Sequence, residues 1–481
     1  MSWQTIVKEN DLEVSVVRSS KLGANLRLDA DFYNIYSLFI EEKINKNNHI
    51  LFKDLLELLT DYTSNGSFAS LKQNVSLDDE SGYAKWIRIK NLDKNSYNED
   101  IRYVNKKGYD FLKKTKLFGG EILISKTGEY LGKAYLFPNT GFNATLADNI
   151  FLIRTKNNLL NNSFLIIYLN SKVGQSFIKK FSQGGGQPTI IKDSLRSIPI
   201  PIPSNDFQKI IEDYYKIQQN LLVKSSEEYR EAEQFFLKEI NLDGYKATDE
   251  NISVRNFKDC ITANRFDAEY WQSKYDEIEK RVSSIPQKNL EDIVLVNKGI
   301  ETGSEEYSEE GKLFIRVSDF SIYGIDEGEK KISEELYEKL KENYRPRKGE
   351  VLFTKDGTIG ISFSLHEDID VIVSGAFLRL KPKVKINNDY LALVLNSSYC
   401  KAQIERMSGG AIIAHLKPDS AKKIKIPMLS DKKQEELAKK VSDALRLRKE
   451  AKTLLKKAKR AVEIFIEQDE KEAIIYLSKK L

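Results

Sequence analysis

A chain of 481 residues is too long for one hydrophobic core and fits two domains with connecting elements. A hydrophobic fraction of 41% and an aromatic fraction of 10% suffice for packed cores, which argues against wholesale disorder. The net charge of +5 says little by itself, and the absence of any run of about 18 apolar residues excludes a membrane-spanning helix.

The opening residues, MSWQTIVKEN, lack a basic segment followed by an apolar stretch, so no secretory leader is expected there. Two cysteines, Cys260 and Cys400, can pair only once and offer no metal-ligand spacing. The expected setting is the reducing cytoplasm. Charge is unevenly spread: Lys417 to Arg460 carries 16 Lys/Arg against six Asp/Glu, a net of +10 in 44 residues. Such a stripe suits an anionic partner such as nucleic acid, or equally a solvated lysine-coated helix.

Followed along the chain, the sequence is written twice. After an N-terminal segment (1–25), Arg27-Leu28-Asp29-Ala30-Asp31-Phe32-Tyr33 opens a pattern that returns at Arg265-Phe266-Asp267-Ala268-Glu269-Tyr270-Trp271. Trp86-Ile87-Arg88-Ile89 returns as Phe314-Ile315-Arg316-Val317. GEILISKTG at 120–128 returns as GEVLFTKDG at 349–357, and Leu169-Asn170-Ser171 as Leu395-Asn396-Ser397. Asp193-Ser194 and Ile198-Pro199-Ile200-Pro201 match Asp419-Ser420 and Ile424-Lys425-Ile426-Pro427. The order is kept while the offset narrows from 238 to 226, as a few loop deletions in one copy would produce. The chain is a tandem duplication.

Each copy begins with short apolar, β-branched runs such as EILIS and EVLFT, each followed by a glycine, and a helical stretch near Leu-Asn-Ser. This predicts a mixed α/β (α+β) domain over 26–200 and another over 244–426. A proline-marked junction follows, in which Pro199, Pro201 and Pro203 force extended backbone and forbid an earlier helix.

Beyond each junction the spacing predicts a long helix, in regions 201–243 and 427–481. Leu437, Val441, Ala444, Ala451, Leu455, Ala458, Val462 and Phe465 follow four- and three-residue steps broken only at Arg448, and no Pro or Gly occurs from 431 to 481. The first copy gives Ile211, Tyr215, Leu222, Tyr229, Ala232 and Phe236, with polar breaks at Gln218 and Ser225. Both stripes look too narrow for general core helices, so the expected partner of each is the other, in an antiparallel coiled coil. A helix of about 34 residues is about 50 Å long.

Taken together, the GEILISKTG and GEVLFTKDG runs, the Leu-Asn-Ser segments, the Ile-Pro junctions and the glutamine-bearing helices resemble the specificity subunit of type I restriction-modification systems. The resemblance covers essentially the whole chain and rests on the repeated combination, since no single motif is very specific. It implies two target-recognition domains that each read one half of a bipartite double-stranded DNA site, with two helical spacers between them. It also implies two methyltransferase subunits and restriction/translocase subunits as partners. Adenine methylation, ATP-driven translocation and cleavage would belong to those partners, along with S-adenosylmethionine, ATP and Mg; no cofactor is expected on this chain. Consistently, the sequence has no Asn-Pro-Pro-aromatic or Asp-Pro-Pro-aromatic loop and no GxxxxGK[ST] loop.

Reading bases needs bidentate donors and acceptors, whereas phosphate contacts need cations, hydroxyls or backbone N–H groups. The turns Ser125-Lys126-Thr127-Gly128 and Thr354-Lys355-Asp356-Gly357 offer a hydroxyl, a cation and a flexible backbone at a strand end. Lys126 and Lys355 are the candidate phosphate contacts; the alternative is a tight turn with a solvated lysine. The loop Ser182-Gln183-Gly184-Gly185-Gly186-Gln187-Pro188-Thr189 has its counterpart in Ser408-Gly409-Gly410 and His415. It is read as a DNA-facing loop, or else as a plain surface turn. Arg88 and Arg316 either reach a base edge or pair with a core carboxylate, and Arg27/Asp29 and Arg265/Asp267 are read as structural ion pairs.

Other clusters invite chemistry less well. His49, His366 and His415 are scattered and have no cysteine companions, so no metal site is expected. Asp78-Asp79-Glu80 and Glu305-Glu306 are read as acidic surface loops. Glu121 and Glu350 stand five residues before the two lysines, an odd step that puts them on the opposite strand face from a nuclease pairing. Two rival functions keep the duplication: a coiled-coil scaffold protein, or a stand-alone metal-dependent DNA nuclease.

Overall fold

Strand Ile122–Ser125 is buried at all four positions, as a short apolar run bounded by turns requires. In the computed structural model, which describes residues 31–93, 101–156, 159–184, 186–247, 252–326, 328, 330–408 and 415–479, it is an inner strand of a sheet. That antiparallel sheet has the order Leu56–Asp61, Ile150–Thr155, Ile122–Ser125, Ala134–Leu136. The second copy repeats it with Val294–Lys298, Phe377–Pro382, Val351–Thr354 and Ser362–Ser364. A second sheet recurs as well: Ala84–Ile87 pairs in parallel with Ala144–Leu146, and Lys312–Ile315 with Val371–Val373. The segment 1–25, the Arg27/Asp29 pair and Gly185, Gly409 and Gly410 lie outside the described residues.

The repeated motifs now have physical causes. The proline junctions are short strands: Pro199–Pro201 pairs with His49–Leu51, and Lys425–Pro427 with Gln287–Asn289. Two-stranded ladders tolerate prolines because few backbone donors are demanded of them. The Leu-Asn-Ser asparagine fastens its helix to an edge strand through both amide atoms. Asn170 accepts from Ala134 N–H at 3.0 Å and donates to Ala134 C=O at 2.7 Å. Asn396 does the same with Ser362, at 2.8 Å each way. In the second copy Arg265 and Asp267 form a double hydrogen bond, 2.6 and 2.8 Å, that holds the Asp267 carboxyl down to about 2. Cys260 and Cys400 are free thiols.

Two long helices follow, Asn205–Glu239 and Asp431–Glu467. The chain divides into two compact units, with one division between Gln219 and Asn220 and the other between Glu450 and Ala451. Both divisions fall inside the long helices, so each unit holds a stretch of each. In the first unit, Phe207 lies 5.4 Å from Phe465 between ring centroids, and Lys457 lies over Tyr214. In the second, Ser225 Oγ donates to the Ala444 carbonyl at 2.7 Å and Lys440 Nζ to Glu231 at 2.8 Å. Numbering rises on one helix as it falls on the other, so the helices run antiparallel in both units.

The structure corrects one expectation about these helices. Their stripes are not too narrow for core helices; they are core. Phe207, Ile211, Tyr215, Ala458, Ala461 and Val462 belong to the core of the first unit, with Leu455 and Phe465 packed against it. Tyr229, Ala232, Phe236, Leu437, Val441 and Ala444 belong to that of the second. Leu222 is half-buried, while the polar breaks Gln218 and Ser225 are buried. Arg448, the break in the second stripe, lies 4.3 Å from the Tyr323 ring centroid. A glutamine in the first turn of each helix pins it: Gln208 accepts from Asn161 N–H at 3.0 Å, and Gln434 from Asn387 N–H at 3.3 Å. The long run ends at Glu467, and Asp469 caps a separate helix, Glu470–Ser478.

Part of the basic stripe is answered by carboxylates of the chain itself. Lys433 pairs with Glu239, Lys440 with Glu228 and Glu231, Lys425 with Glu279, and Arg460 with Glu463 and Glu467. Among the described residues no helix is long and apolar enough to cross a membrane.

Because Phe236 is fully buried against Tyr390, Phe236→Ala should lower the stability of the second unit by about 3–5 kcal/mol. Urea unfolding checks this, and a loss below about 1 kcal/mol would mean that the helix is a spacer independent of the domain.

Candidate nucleic-acid interface

In each unit the glycine-flanked turn after the Gly-Glu strand is met by the later loop. In the first unit Ile190 N–H donates to the Lys126 carbonyl at 3.0 Å, and Thr127 pairs with Thr189 as an isolated bridge. Thr189 Oγ1 donates to Thr127 Oγ1 at 3.2 Å, and Thr127 Oγ1 to the Pro188 carbonyl at 3.3 Å. Gln183 and Thr189 exchange backbone hydrogen bonds of 2.9 and 2.8 Å, which close the loop on itself. Gln183 and Gln187 are exposed at its rim. Gly128 at φ +77° and Gly184 at φ +101° occupy backbone conformations that a side chain disfavours.

The second unit repeats the construction with other side chains. Leu416 N–H donates to the Lys355 carbonyl at 2.9 Å, and Asp356 pairs with His415 as an isolated bridge. His415 Nδ1 also contacts the Asp356 carboxylate. Ser408 closes the preceding helix by donating to the Glu405 carbonyl at 3.2 Å. Thus Thr127/Thr189 in one unit stand where Asp356/His415 stand in the other.

Neither candidate phosphate lysine is a free cation, nor is either simply solvated. Lys126 Nζ donates to Asp61 Oδ2 at 2.9 Å and lies over the Phe151 ring. Lys192 Nζ reaches the other Asp61 oxygen at 3.0 Å and Ser64 Oγ at 2.7 Å. Burial by itself would raise the Asp61 carboxyl. The Ser64 hydrogen bond and the Lys126 and Lys192 ammonium groups outweigh it and hold the acid well below the usual carboxylate range. Lys355 is only 8% exposed and pairs with the adjacent Asp356. The carboxylate therefore comes from the edge strand Leu56–Asp61, two places away in the sheet, in one unit and from the next residue in the other.

The two arginines follow strand ends and share one arrangement. Arg316 donates to both oxygens of the buried Asp319, at 3.2 Å each, so the carboxylate pairing is the arrangement present. Arg88 donates to Asn91 Oδ1 through its backbone at 3.1 Å and through Nε at 3.4 Å. Asp61, Ser64 and Lys192 carried no signal in the sequence. Asp61 lies 65 positions from Lys126 and 131 from Lys192, and only the fold brings them together.

The remaining acidic clusters are structural. Asp78 accepts from Glu80 and Ser81 N–H groups, and Asp79 pairs with Arg102. Glu121 is buried, accepting from Phe118 and Gly119 N–H groups. Glu350 is buried beside Arg379, 3.5 Å away. Among the described residues no group of three or more His, Cys, Asp or Glu side chains is arranged to hold a metal ion.

A family model described as the type I restriction modification DNA specificity domain matches residues 53–222 and again 284–459. The chain belongs to that family. Both halves of this specificity chain match, as its duplication requires, and the family's role is DNA sequence specificity. Three solved structures are similar to it. The S subunit of a type I restriction-modification system from M. genitalium is 16% identical, with 90% of this chain and 96% of that chain covered and a TM-score of 0.35. A chain from a study of complex assembly and conformational transition of the type I R-M system is 13% identical, with 88% and 98% covered and a TM-score of 0.29. The HsdS subunit from Thermoanaerobacter tengcongensis is 13% identical, with 89% and 95% covered and a TM-score of 0.27. No curated protein matches the chain.

Asp61→Asn removes the charge that Lys126 and Lys192 share and should destabilise the first unit by about 1.5–3 kcal/mol at neutral pH. A carboxyl depressed by folding contributes fully above its unfolded pKa, near 4, and loses that contribution as pH falls toward its folded value. The gap between wild type and variant should therefore be flat from about pH 5 to 8 and close below about pH 4. Thermal unfolding across pH checks it; a gap that persists unchanged at low pH would contradict the assignment.

Proposed function

We propose that the chain reads a bipartite double-stranded DNA target, one half with each unit, and directs partner adenine methyltransferase and restriction subunits to it. The observation that carries this reading is one backbone construction built twice with different polar side chains. Thr127, Thr189, Gln183 and Gln187 occupy it in the first unit, and Asp356, His415 and Ser408 in the second. A shared scaffold with unlike side chains suits two half-sites of different sequence.

The residues divide by chemistry. The exposed Gln183 and Gln187 amides have the paired donor and acceptor that match adenine in the major groove. Asp356 and His415 together offer an acceptor and a ring nitrogen, a set suited to another base. Lys126 and Lys355, held by carboxylates, orient the turns and lend their backbone to the loop. Phosphate contacts then fall to the exposed lysines around the sites.

Methyl transfer, translocation and cleavage are assigned to the partner subunits: two methyltransferase subunits and the restriction/translocase subunits. S-adenosylmethionine, ATP and magnesium are assigned to them as well, and cytoplasmic DNA is the substrate. The long helices, at 35 and 37 residues, are proposed to set the number of base pairs between the half-sites.

Co-expression with the neighbouring methyltransferase gene product, followed by mapping of methylated bases in host DNA, should reveal a two-part motif that vanishes when this chain is omitted. Unchanged methylation with both proteins expressed would overturn the reading. Lengthening both long helices by whole turns should alter the spacer in that motif and leave its bases alone. A constant spacer with altered bases would refute the role given to the helices.

A further inference from the structure

Phe68 is 84% exposed, more than any other aromatic side chain among the described residues. Nothing in the packing of the first unit needs it there. Ser67 caps the helix Phe68–Asn74, whose attachment to the core is made by the buried Leu71. The turn that leads into it is tied down by hydrogen bonds. Asp61 accepts from Ser64 N–H at 3.2 Å and from Ser64 Oγ at 2.6 Å. Asn65 accepts from Lys114 N–H at 2.9 Å and donates to Thr115 Oγ1 at 3.1 Å. A single solvated ring needs no explanation by itself, and its setting is what singles this one out.

The surroundings identify the kind of ligand. Lys114 Nζ donates to the Ser64 carbonyl at 2.9 Å, and Lys192 Nζ to Ser64 Oγ at 2.7 Å, so both ammonium groups sit against this tip. Lys72 follows one turn later on the same helix, and Lys113 precedes Lys114; Lys72, Lys113 and Lys114 are exposed. Among the described residues none of these three enters an ion pair. The nearby acid, Asp61, is buried and already shared between Lys126 and Lys192. Apolar contacts between proteins are depleted of lysine at their centres. An aromatic ring among lysines fits a polyanion with stacked rings.

The second unit shows what the feature is not. Strand register places Leu59 opposite Ile153 and Val296 opposite Leu380, so Gly66-Ser67-Phe68 corresponds to Gly303-Ser304-Glu305. Glu305 and Glu306 are exposed at that tip, and a phosphate backbone would repel them. The fold therefore does not require an aromatic residue there.

We propose that Phe68 inserts between base pairs of the duplex held by the first unit, unstacking one step at a point the lysines fix by gripping the backbone. Side-chain wedges of this kind kink DNA and read its deformability as well as its edges. The inference rests on the DNA-reading function proposed above.

The test uses the full-length chain with its methyltransferase partner and a fluorescein-labelled duplex carrying the mapped motif. Phe68→Ala should weaken binding roughly tenfold or more. The dependence of affinity on salt should keep its slope, because no ion contact is removed. Phe68→Trp should restore binding, and its added indole emission, over the wild-type background, should be quenched when the duplex is bound. Wild-type affinity in Phe68→Ala, or an unquenched indole in Phe68→Trp, would overturn insertion and leave DNA reading standing. No binding of the duplex by the wild-type chain would overturn both.

Discussion

The backbone hydrogen bond that joins a late loop to a strand-end turn governs each unit. Ile190 to Lys126 and Leu416 to Lys355 are the same bond in two settings. Each ties a segment after the Leu-Asn-Ser helix to the inner strand of the main sheet. The polar side chains on either side are then presented from a buried strand and cannot drift as they would on a free loop. Such a frame permits substitution of the presented residues, because the bond that makes it uses only main-chain atoms.

Charge compensation follows the same logic. The lysine of each turn needs a carboxylate once its unit has closed around it, since a nearly buried ammonium is costly unless paired. The first copy finds Asp61 at the end of the sheet's edge strand and adds Lys192, whereas the second supplies Asp356 from the next position. The first solution leaves the turn's second position free for Thr127. The second commits it to Asp356, which contacts His415. The copies thus diverge in presented chemistry while keeping backbone geometry.

Much of this was legible in the sequence. The repeated strings revealed the duplication because strand, turn and capping residues are under identical local constraints in both copies. ILIS and VLFT read as buried strands, and the prolines at 199 and 201 marked the short strand before the first long helix. The helices' membership in the cores was not legible. Gln208, Gln218 and Ser225 are buried polar residues, and a stripe counted from apolar residues alone leaves them out. The ion pairs around Lys126 were illegible for another reason. They join positions far apart in the chain, and neither Asp61 nor Lys192 sits in a repeated string.

In the proposed function, one scaffold built twice presents two independent readers. Mapping methylated sites for the double variant Gln183→Ala/Gln187→Ala and, separately, for His415→Ala tests it most directly. The first should relax bases in one half of the motif only and the second bases in the other half only, with the spacer unchanged in both. Relaxation of both halves by either variant, or of neither half by both, would contradict it.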